Sequence, residues 1–319
     1  MKRVVVTGGT GFVGANLVRR LVADGDETHL LVRPGFDSWR IDSIRDQLRL
    51  HEVDLSDRPS LTATLSAIGP SWIFHLAAHG AYSWQTDAEL MTETNVVGTA
   101  NLLAAALEVG FDAFVNTGSS SEYGPQDHAP AEVEPGEPDT PYAITKAAAT
   151  ALCVKAARAH AARICTLRLY SVYGPFEDPR RLLPSLIVHG SRGAFPPLVD
   201  ARTARDFVYV DDAIRAYVTV VQHPAVQPGA IYNVGTGVQT TIRDAVEVAR
   251  RVLDIPGEPQ WGSMPARVWD TTTWIADSRR IRDDLGWRPQ HSFEDGFREM
   301  VGWLNRHPDV RDRYEAAWR

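Results

Sequence analysis

Tyr142 and Lys146 stand four residues apart in Tyr142-Ala143-Ile144-Thr145-Lys146. On a helix that spacing is about one turn, so the phenol and the ammonium project from one face. A cation beside a phenol, whose ordinary pKa is about 10, favours the phenolate and makes a general acid/base. Well upstream, Val4-Val5-Val6-Thr7 leads into Gly8-Gly9-Thr10-Gly11-Phe12-Val13-Gly14. Glycines at such a strand-to-helix turn let the backbone approach a pyrophosphate lying on a helix N-terminus. Gly8, Gly11, Phe12, Val13 and Gly14 are therefore expected to cradle a dinucleotide. An acid/base set against such a cofactor suggests hydride transfer at a carbinol or ketone carbon.

The second strand should end in Leu30-Leu31-Val32-Arg33-Pro34. An acidic residue about 20 positions after the glycines would hold the ribose 2′-hydroxyl of NAD. Val32 occupies that place and Arg33 follows. A guanidinium can hold a 2′-phosphate bidentately, so NADP is favoured, NAD remains possible, and Arg40 could assist from the loop. Asp54-Leu55 closes the third strand, where Asp54 could accept from an adenine amine or cap the helix that follows. Ala77 and Ala78, after His75-Leu76, are small enough to let a cofactor pass the sheet edge, although ordinary packing explains them too. His75 itself reads as a core residue. The serines of Asn116-Thr117-Gly118-Ser119-Ser120-Ser121-Glu122-Tyr123-Gly124 end the fifth strand and give the Tyr/Lys pair a third, hydroxyl-bearing member.

These residues need a frame. Short β-branched runs alternate with helical stretches, the pattern of βαβ units and a parallel sheet. Strands are predicted at Arg3–Thr7, Thr28–Arg33, Arg49–Val53, Trp72–Leu76, Ala113–Thr117 and Ile164–Arg168. Helices should begin near Gly11, Ser60, Thr92, Pro141 and Leu182. Thr140-Pro141 supplies a cap followed by proline at the first helical position. Beyond about residue 175 proline, glycine and tryptophan become frequent, which suits a smaller, loop-rich region. Arg205–Val221 returns to the main domain as a strand and then a helix from Asp211. The expected division is a nucleotide-binding domain over 1–175, with 205–235 returning to it, and a discontinuous substrate region over 176–204 and 236–319.

Composition narrows the classes. The chain has 319 residues, 44% hydrophobic and 23% charged, so it can bury a sizeable core. A net charge of −7 argues against a nucleic-acid partner. The two cysteines, Cys153 and Cys165, form no CxxC, and the ten histidines show no ligand spacing, so neither a disulfide nor a metal site is expected. Lys2-Arg3 precede only three valines before Thr7, too few for a secretory h-region of about 7–15 residues. Nothing approaches the roughly 20 apolar residues of a membrane span. A cytoplasmic protein is expected.

Taken together, the chain resembles the extended short-chain dehydrogenase/reductases, specifically their nucleotide-sugar epimerase/dehydratase/reductase group, over nearly its whole length. The resemblance rests on Thr7–Gly14, His75–Ala78, Thr94-Asn95-Val96-Val97-Gly98-Thr99, Tyr142–Lys146, Leu167–Pro175 and Ala204–Asp212. It implies a Rossmann-type, doubly wound α/β fold. It also implies Ser119, Tyr142 and Lys146 as catalytic residues, Lys146 also bonding the nicotinamide ribose. Asn95 would support the site and Tyr170 would join the cofactor set. Ser120, Ser171, Arg181, Arg205, Arg267 and Asp270 would meet the nucleotide sugar, with Arg267 and Asp270 as the family's Arg-x-x-Asp pair and Trp274 on the pocket wall. A homodimer through a four-helix bundle, here Thr92–Val109 and Pro141–Ala161, is implied as well.

Departures from the family pattern bear on the reaction. Dehydratases of this group carry acids immediately after the catalytic Ser/Thr; here those places hold Ser120 and Ser121, and Glu122 comes one residue late. In an extended segment that shift turns a side chain to the opposite face, so dehydration is not expected. Two activities remain. One is NADPH-dependent reduction of an NDP-4-keto-6-deoxyhexose, which Arg33 favours; the other is 4-epimerisation of an NDP-sugar by transient C4 oxidation. A dinucleotide-dependent regulator on the same fold is the non-enzymatic alternative.

Overall fold

The computed structural model describes residues 1–265 and 270–318. Arg267, one of the implied phosphate ligands, lies outside the described residues.

Seven parallel strands form the central sheet: β1 (Arg3–Thr7), β2 (Glu27–Val32), β3 (Arg49–Glu52), β4 (Trp72–His75), β5 (Ala113–Ser119), β6 (Ile164–Leu169) and β10 (Ile231–Val234), in the order β10-β6-β5-β4-β1-β2-β3. The order reverses between β1 and β4, so a crevice opens where their C-terminal ends diverge. Four short strands, β7 (Ser171–Tyr173), β8 (Ala204–Arg205), β9 (Phe207–Tyr209) and β11 (Thr240–Thr241), lie outside this sheet; β7 pairs with β9, and β8 with β11.

The valine-rich β1 is buried on both faces, as a central parallel strand must be. On one face Val4 and Val6 pack with Leu17 and Val18 of α1 (Phe12–Ala23), with Ala213 and Tyr217 of α7 (Val210–Gln222), and with Ile281 of α9 (Arg279–Leu285). On the other, Val5 and Ile73 pack with Leu61 and Leu65 of α2 (Arg58–Ile68), with Leu102 of α4 (Gly98–Val109) and with Cys153 of α5 (Pro141–His160). A third apolar cluster joins α6 (Leu182–Gly190), α8 (Ile242–Leu253) and α10 (Phe293–Arg306) around Leu186, Val246 and Phe297, with Tyr314 of α11 (Pro308–Ala316) at its edge.

Most predicted strands sit within a residue or two of where their sequence places them. β5 runs two residues past Thr117, because Gly118 and Ser119 keep register with Arg168 and Leu169 of β6. β2 stops at Val32, leaving Arg33 in the turn before Pro34. The helix expected from Thr92 instead starts as α3 (Ala88–Thr92), where the Asp87 carboxylate accepts from the Leu90 amide. α3 continues through a π-turn at Glu93–Val97 into α4. Both cysteines are buried and free. No helix among the described residues is long and apolar enough to cross a membrane.

Candidate active site

The glycine turn is held by contact. Gly8 has φ +69°, and a Cβ there would sit 2.5 Å from the Ala77 nitrogen. A Cβ on Gly14 would lie 2.1 Å from the Gly8 carbonyl oxygen. Only glycine allows this close packing of strand, turn and helix. Gly11 ends up as the N-cap of α1 without a side-chain cap, and no acidic residue occupies the first turn. The amides of Phe12, Val13 and Gly14 thus face the crevice mouth with the helix dipole behind them, which suits a pyrophosphate.

α5 carries the Tyr/Lys pair. Its start is fixed as the sequence suggests, with the Thr140 hydroxyl accepting from the Ala143 amide and Pro141 in the first turn. Tyr142 is half-buried and Lys146 buried, and the Lys146 ammonium makes no hydrogen bond within the described residues. A buried, unpartnered ammonium on the wall of a dinucleotide crevice fits the hydroxyls of a nicotinamide ribose. Ser119 ends β5, donates its hydroxyl to the Ser121 hydroxyl at 3.1 Å, and lies close enough to the Tyr142 phenol to favour its ionised form. These three expected catalytic residues therefore share one wall of the crevice.

The electrostatics differ from the sequence expectation. Burial pushes the Tyr142 phenol up to about 12, opposed by the Ser119 hydroxyl and by the charge of Arg181, so the cation beside it does not produce a phenolate in the free protein. Burial also lowers Lys146, with the Glu122 charge acting the other way. Here desolvation outweighs the pairing that the four-residue spacing implies.

A hydrogen-bond chain ties α5 to the sheet. Asn95, in the π-turn, accepts from the His79 amide at 2.8 Å and donates to the His79 carbonyl and the Thr145 hydroxyl, each at 2.9 Å. Thr145 donates to the Tyr142 carbonyl at 2.9 Å. The Asn95 carboxamide is fully used inside the chain, so it supports the site without touching a ligand. Thr99 donates to the Asn95 carbonyl at 2.6 Å, so the 2.9 Å contact between Thr99 and His75 Nε2 requires the proton on that ring nitrogen. His75 Nδ1 then accepts from Thr7 at 2.7 Å, and Thr7 accepts from the Ala77 amide at 3.2 Å. Burial and the Lys146 charge hold His75 down to about 3, so this neutral tautomer is the working one and His75 is structural. Thr7, Thr99 and Thr145 each stand inside a quoted motif, but nothing about a threonine's type or spacing marks its hydroxyl as part of a hydrogen-bond chain, so their roles escape sequence reading.

Glu122 is turned away from the crevice. It is buried, accepting from the Ser119 amide and from Arg168 Nε, both at 2.8 Å. Ser120 is buried beside it and accepts from Trp274 Nε1 at 3.2 Å. Ser120, Trp274 and Tyr170 line one small hollow, where the Tyr170 phenol oxygen is buried with no partner.

The remaining expected residues have these surroundings. Arg33 is exposed and makes no ion pair with any described residue. Arg40 donates to the Phe176 carbonyl at 2.8 Å and stacks on Trp39. Asp54 uses one carboxylate oxygen on the amide and hydroxyl of Ser56, while the cap of α2 is Asp57. Leu55 and Ala77 are half-buried and Ala78 is exposed. Ser171 is half-buried in β7. Arg181 is the N-cap residue of α6, and its Nε lies 3.5 Å from Glu177. Arg205 pairs with Asp270 at 2.9 Å and lies near the Trp274 ring, which brings two of the expected substrate contacts together. No cluster of metal-ligating side chains occurs among the described residues.

The profile of the NAD dependent epimerase/dehydratase family matches residues 4–235. A UDP-glucose 4-epimerase of Mycolicibacterium smegmatis is 32% identical over 323 residues, covering 94% of this chain and 97% of its own. Among solved structures, the dTDP-glucose 4,6-dehydratase DesIV of Streptomyces venezuelae, with NAD bound, superposes with a TM-score of 0.88 at 27% identity, covering 98% of this chain and 99% of its own. MoeE5 in complex with UDP-glucuronic acid and NAD gives a TM-score of 0.82 at 30% identity, covering 95% of this chain and 99% of its own.

Proposed function

Because the chain belongs to the NAD dependent epimerase/dehydratase family, we propose that it is a nucleotide-sugar oxidoreductase, with NADPH-dependent reduction of an NDP-4-keto-6-deoxyhexose as its reaction. The observation that carries this reading is the shared wall of Ser119, Tyr142 and Lys146 beside the uncapped α1 turn, combined with the inward turn of Glu122.

A nicotinamide held in the crevice would supply hydride to C4. The Tyr142 phenol donates its proton to the oxygen that was the ketone, leaving a phenolate that the Lys146 ammonium stabilises. Ser119 donates a hydrogen bond to the same oxygen as negative charge develops there. The reaction starts with a protonated phenol, and a phenol held at about 12 is in that state near neutral pH. Dehydration would need an acid at Ser120 or Ser121, and Glu122, committed to Arg168, cannot serve.

The nucleotide diphosphate would lie along Arg205, with Asp270 and Ser171 nearby, and the sugar against Ser120, Arg181 and Trp274. Arg33, exposed at the end of β2, supports NADP over NAD. A homodimer through α4 and α5 is part of the proposal, since Val97 and Ile144 are exposed there, at 44% and 53%. Two buried free cysteines fit a reducing, cytoplasmic location.

A second reading, 4-epimerisation with retained NAD, is favoured by the 32% identical 4-epimerase and the NAD-bound neighbours. In it Tyr142 would first take the C4 hydroxyl proton as hydride leaves C4; the ketone would then turn over, hydride would return to its other face, and Tyr142 would give the proton back to the oxygen. Denaturing the purified protein, identifying the released dinucleotide and assaying a panel of NDP-sugars by mass spectrometry separates the two. Net gain of two hydrogens supports reduction, and altered stereochemistry at constant mass supports epimerisation. Loss of water would overturn both.

A further inference from the structure

A cleft of about 1230 Å³ opens on the side of the molecule between α1, α7 and the α10–α11 pair. None of Gly8, Ser119, Tyr142 or Lys146 lines it. Its volume exceeds the roughly 300–1,000 Å³ of common small-molecule pockets. Five arginines line it (Arg19, Arg20, Arg215, Arg306 and Arg313) against three aspartates, on a chain whose net charge is −7. The cleft thus concentrates positive charge that the molecule as a whole lacks.

Three of these arginines are compensated: Arg20 by Asp24, Arg215 by Asp212 and Arg313 by Asp37. Two are not. Arg19 donates to the Ala15 carbonyl and the Ser43 hydroxyl, both at 3.0 Å and both neutral, and its guanidinium lies 4.0 Å above the Phe176 ring. No carboxylate balances it, and burial pulls it down to about 10. Arg306, at the end of α10, makes no hydrogen bond or ion pair with any described residue. Arg215 adds a buried Nε with no acceptor. Guanidinium groups without a carboxylate partner around a cleft of this size suit an anion.

The floor between these arginines is aromatic and fixed. Phe176 packs against Trp303 at 4.8 Å and Trp39 at 6.0 Å, and Trp303 against His307 at 4.9 Å. Phe176 has φ +69°, a left-handed conformation costly for a bulky residue, with its carbonyl held by Arg40 and that of Pro175 held by Asn16. The chain therefore holds this ring under Arg19 against its backbone preference.

We propose that this cleft is a second ligand site, separate from the crevice, that takes a small phosphorylated anion through Arg19 and Arg306. Carboxylate ligands are less well matched, because a diphosphate offers each guanidinium a bidentate edge. Inorganic pyrophosphate and a nucleoside diphosphate share the chemistry that would be recognised.

The test is calorimetric titration of the full chain, saturated with NADP, using inorganic pyrophosphate and then UDP as probes. Pyrophosphate is expected to bind, and Arg306→Ala should weaken it by about tenfold or more. Arg19→Gln should do the same, while Arg205→Ala, in the groove beside Tyr142, leaves this binding unchanged. Arg306 is exposed, so its truncation spares the fold even should Arg19→Gln disturb α1. UDP binding that follows the same variants with higher affinity assigns the site to nucleotides, and pyrophosphate alone assigns it to free phosphates. Absence of binding by both probes, or binding indifferent to Arg306→Ala and Arg19→Gln, overturns the proposal, as does loss in Arg205→Ala alone.

Discussion

At the scale of single residues, the proposed reaction places the proton transfer on Tyr142 and the cofactor choice on Arg33. Tyr142→Phe keeps the ring and removes the transferable proton, so turnover should fall by about a hundredfold or more while NADPH affinity, followed by fluorescence titration, stays within about twofold. Retained turnover would remove Tyr142 as the acid. Arg33→Ala should weaken NADP by about tenfold and leave NAD nearly unchanged, and equal losses for the two cofactors would count against a 2′-phosphate contact. The candidacy of these residues was legible because each sits in a spacing that the proposed chemistry requires. The state of the phenol was not. Its acidity depends on how much water the folded crevice leaves around it, and a spacing of four residues contains no information on burial.

Elements set the positions of those groups. α5 would be an ordinary amphipathic helix were it not fastened through Thr145 to Asn95, and Asn95 to the His79 backbone. Asn95→Ala leaves the His79 amide and carbonyl without their partner and removes one of the Thr145 hydroxyl's two bonds, which should cost about 1–3 kcal/mol in urea unfolding, with kcat falling more than KM rises. Unchanged stability would mean that the clamp is idle. The start of α5 was readable from Thr140-Pro141, since a cap and a proline act locally. The π-turn that aims Asn95 was not, because it arises from packing between α3, α4 and α5.

The segment after β7 holds another group hidden from sequence. Burial pushes the Glu177 carboxyl up to about 8, only partly opposed by Arg181 and reinforced by Asp178, and one of its oxygens has no partner. The folded pKa lies above the ordinary carboxyl value of about 4.3, so the native state binds more protons than the unfolded chain between the two values. That group therefore subtracts stability as pH rises through this window. Glu177→Gln should lose less stability than the parent between about pH 5 and about pH 8 in chemical unfolding. Parallel losses in the two proteins would contradict the assigned burial.

At the scale of the molecule, alternating strand and helix patterns were enough to read a parallel α/β sheet, because each βαβ unit writes its own periodicity. The third apolar cluster, built from α6, α8 and α10, was legible only as a loosening of that pattern, since its strands are two or three residues long and take their register from distant partners. The proposed dimer surface exposes Ile144 of α5 and Val97 just before α4. Ile144→Glu should convert a dimer to monomer in sedimentation, and a wild-type chain that sediments as a monomer would dispose of the four-helix interface. The central claim is that hydride moves at C4 of a nucleotide sugar with Tyr142 handling the proton. It is tested most directly by supplying an NDP-4-keto-6-deoxyhexose with NADPH deuterated at the transferable position and reading the product by NMR. The account predicts deuterium at C4 of the product with the intact chain and none with Tyr142→Phe. Deuterium elsewhere on the sugar, or equal transfer by the phenylalanine variant, would contradict it.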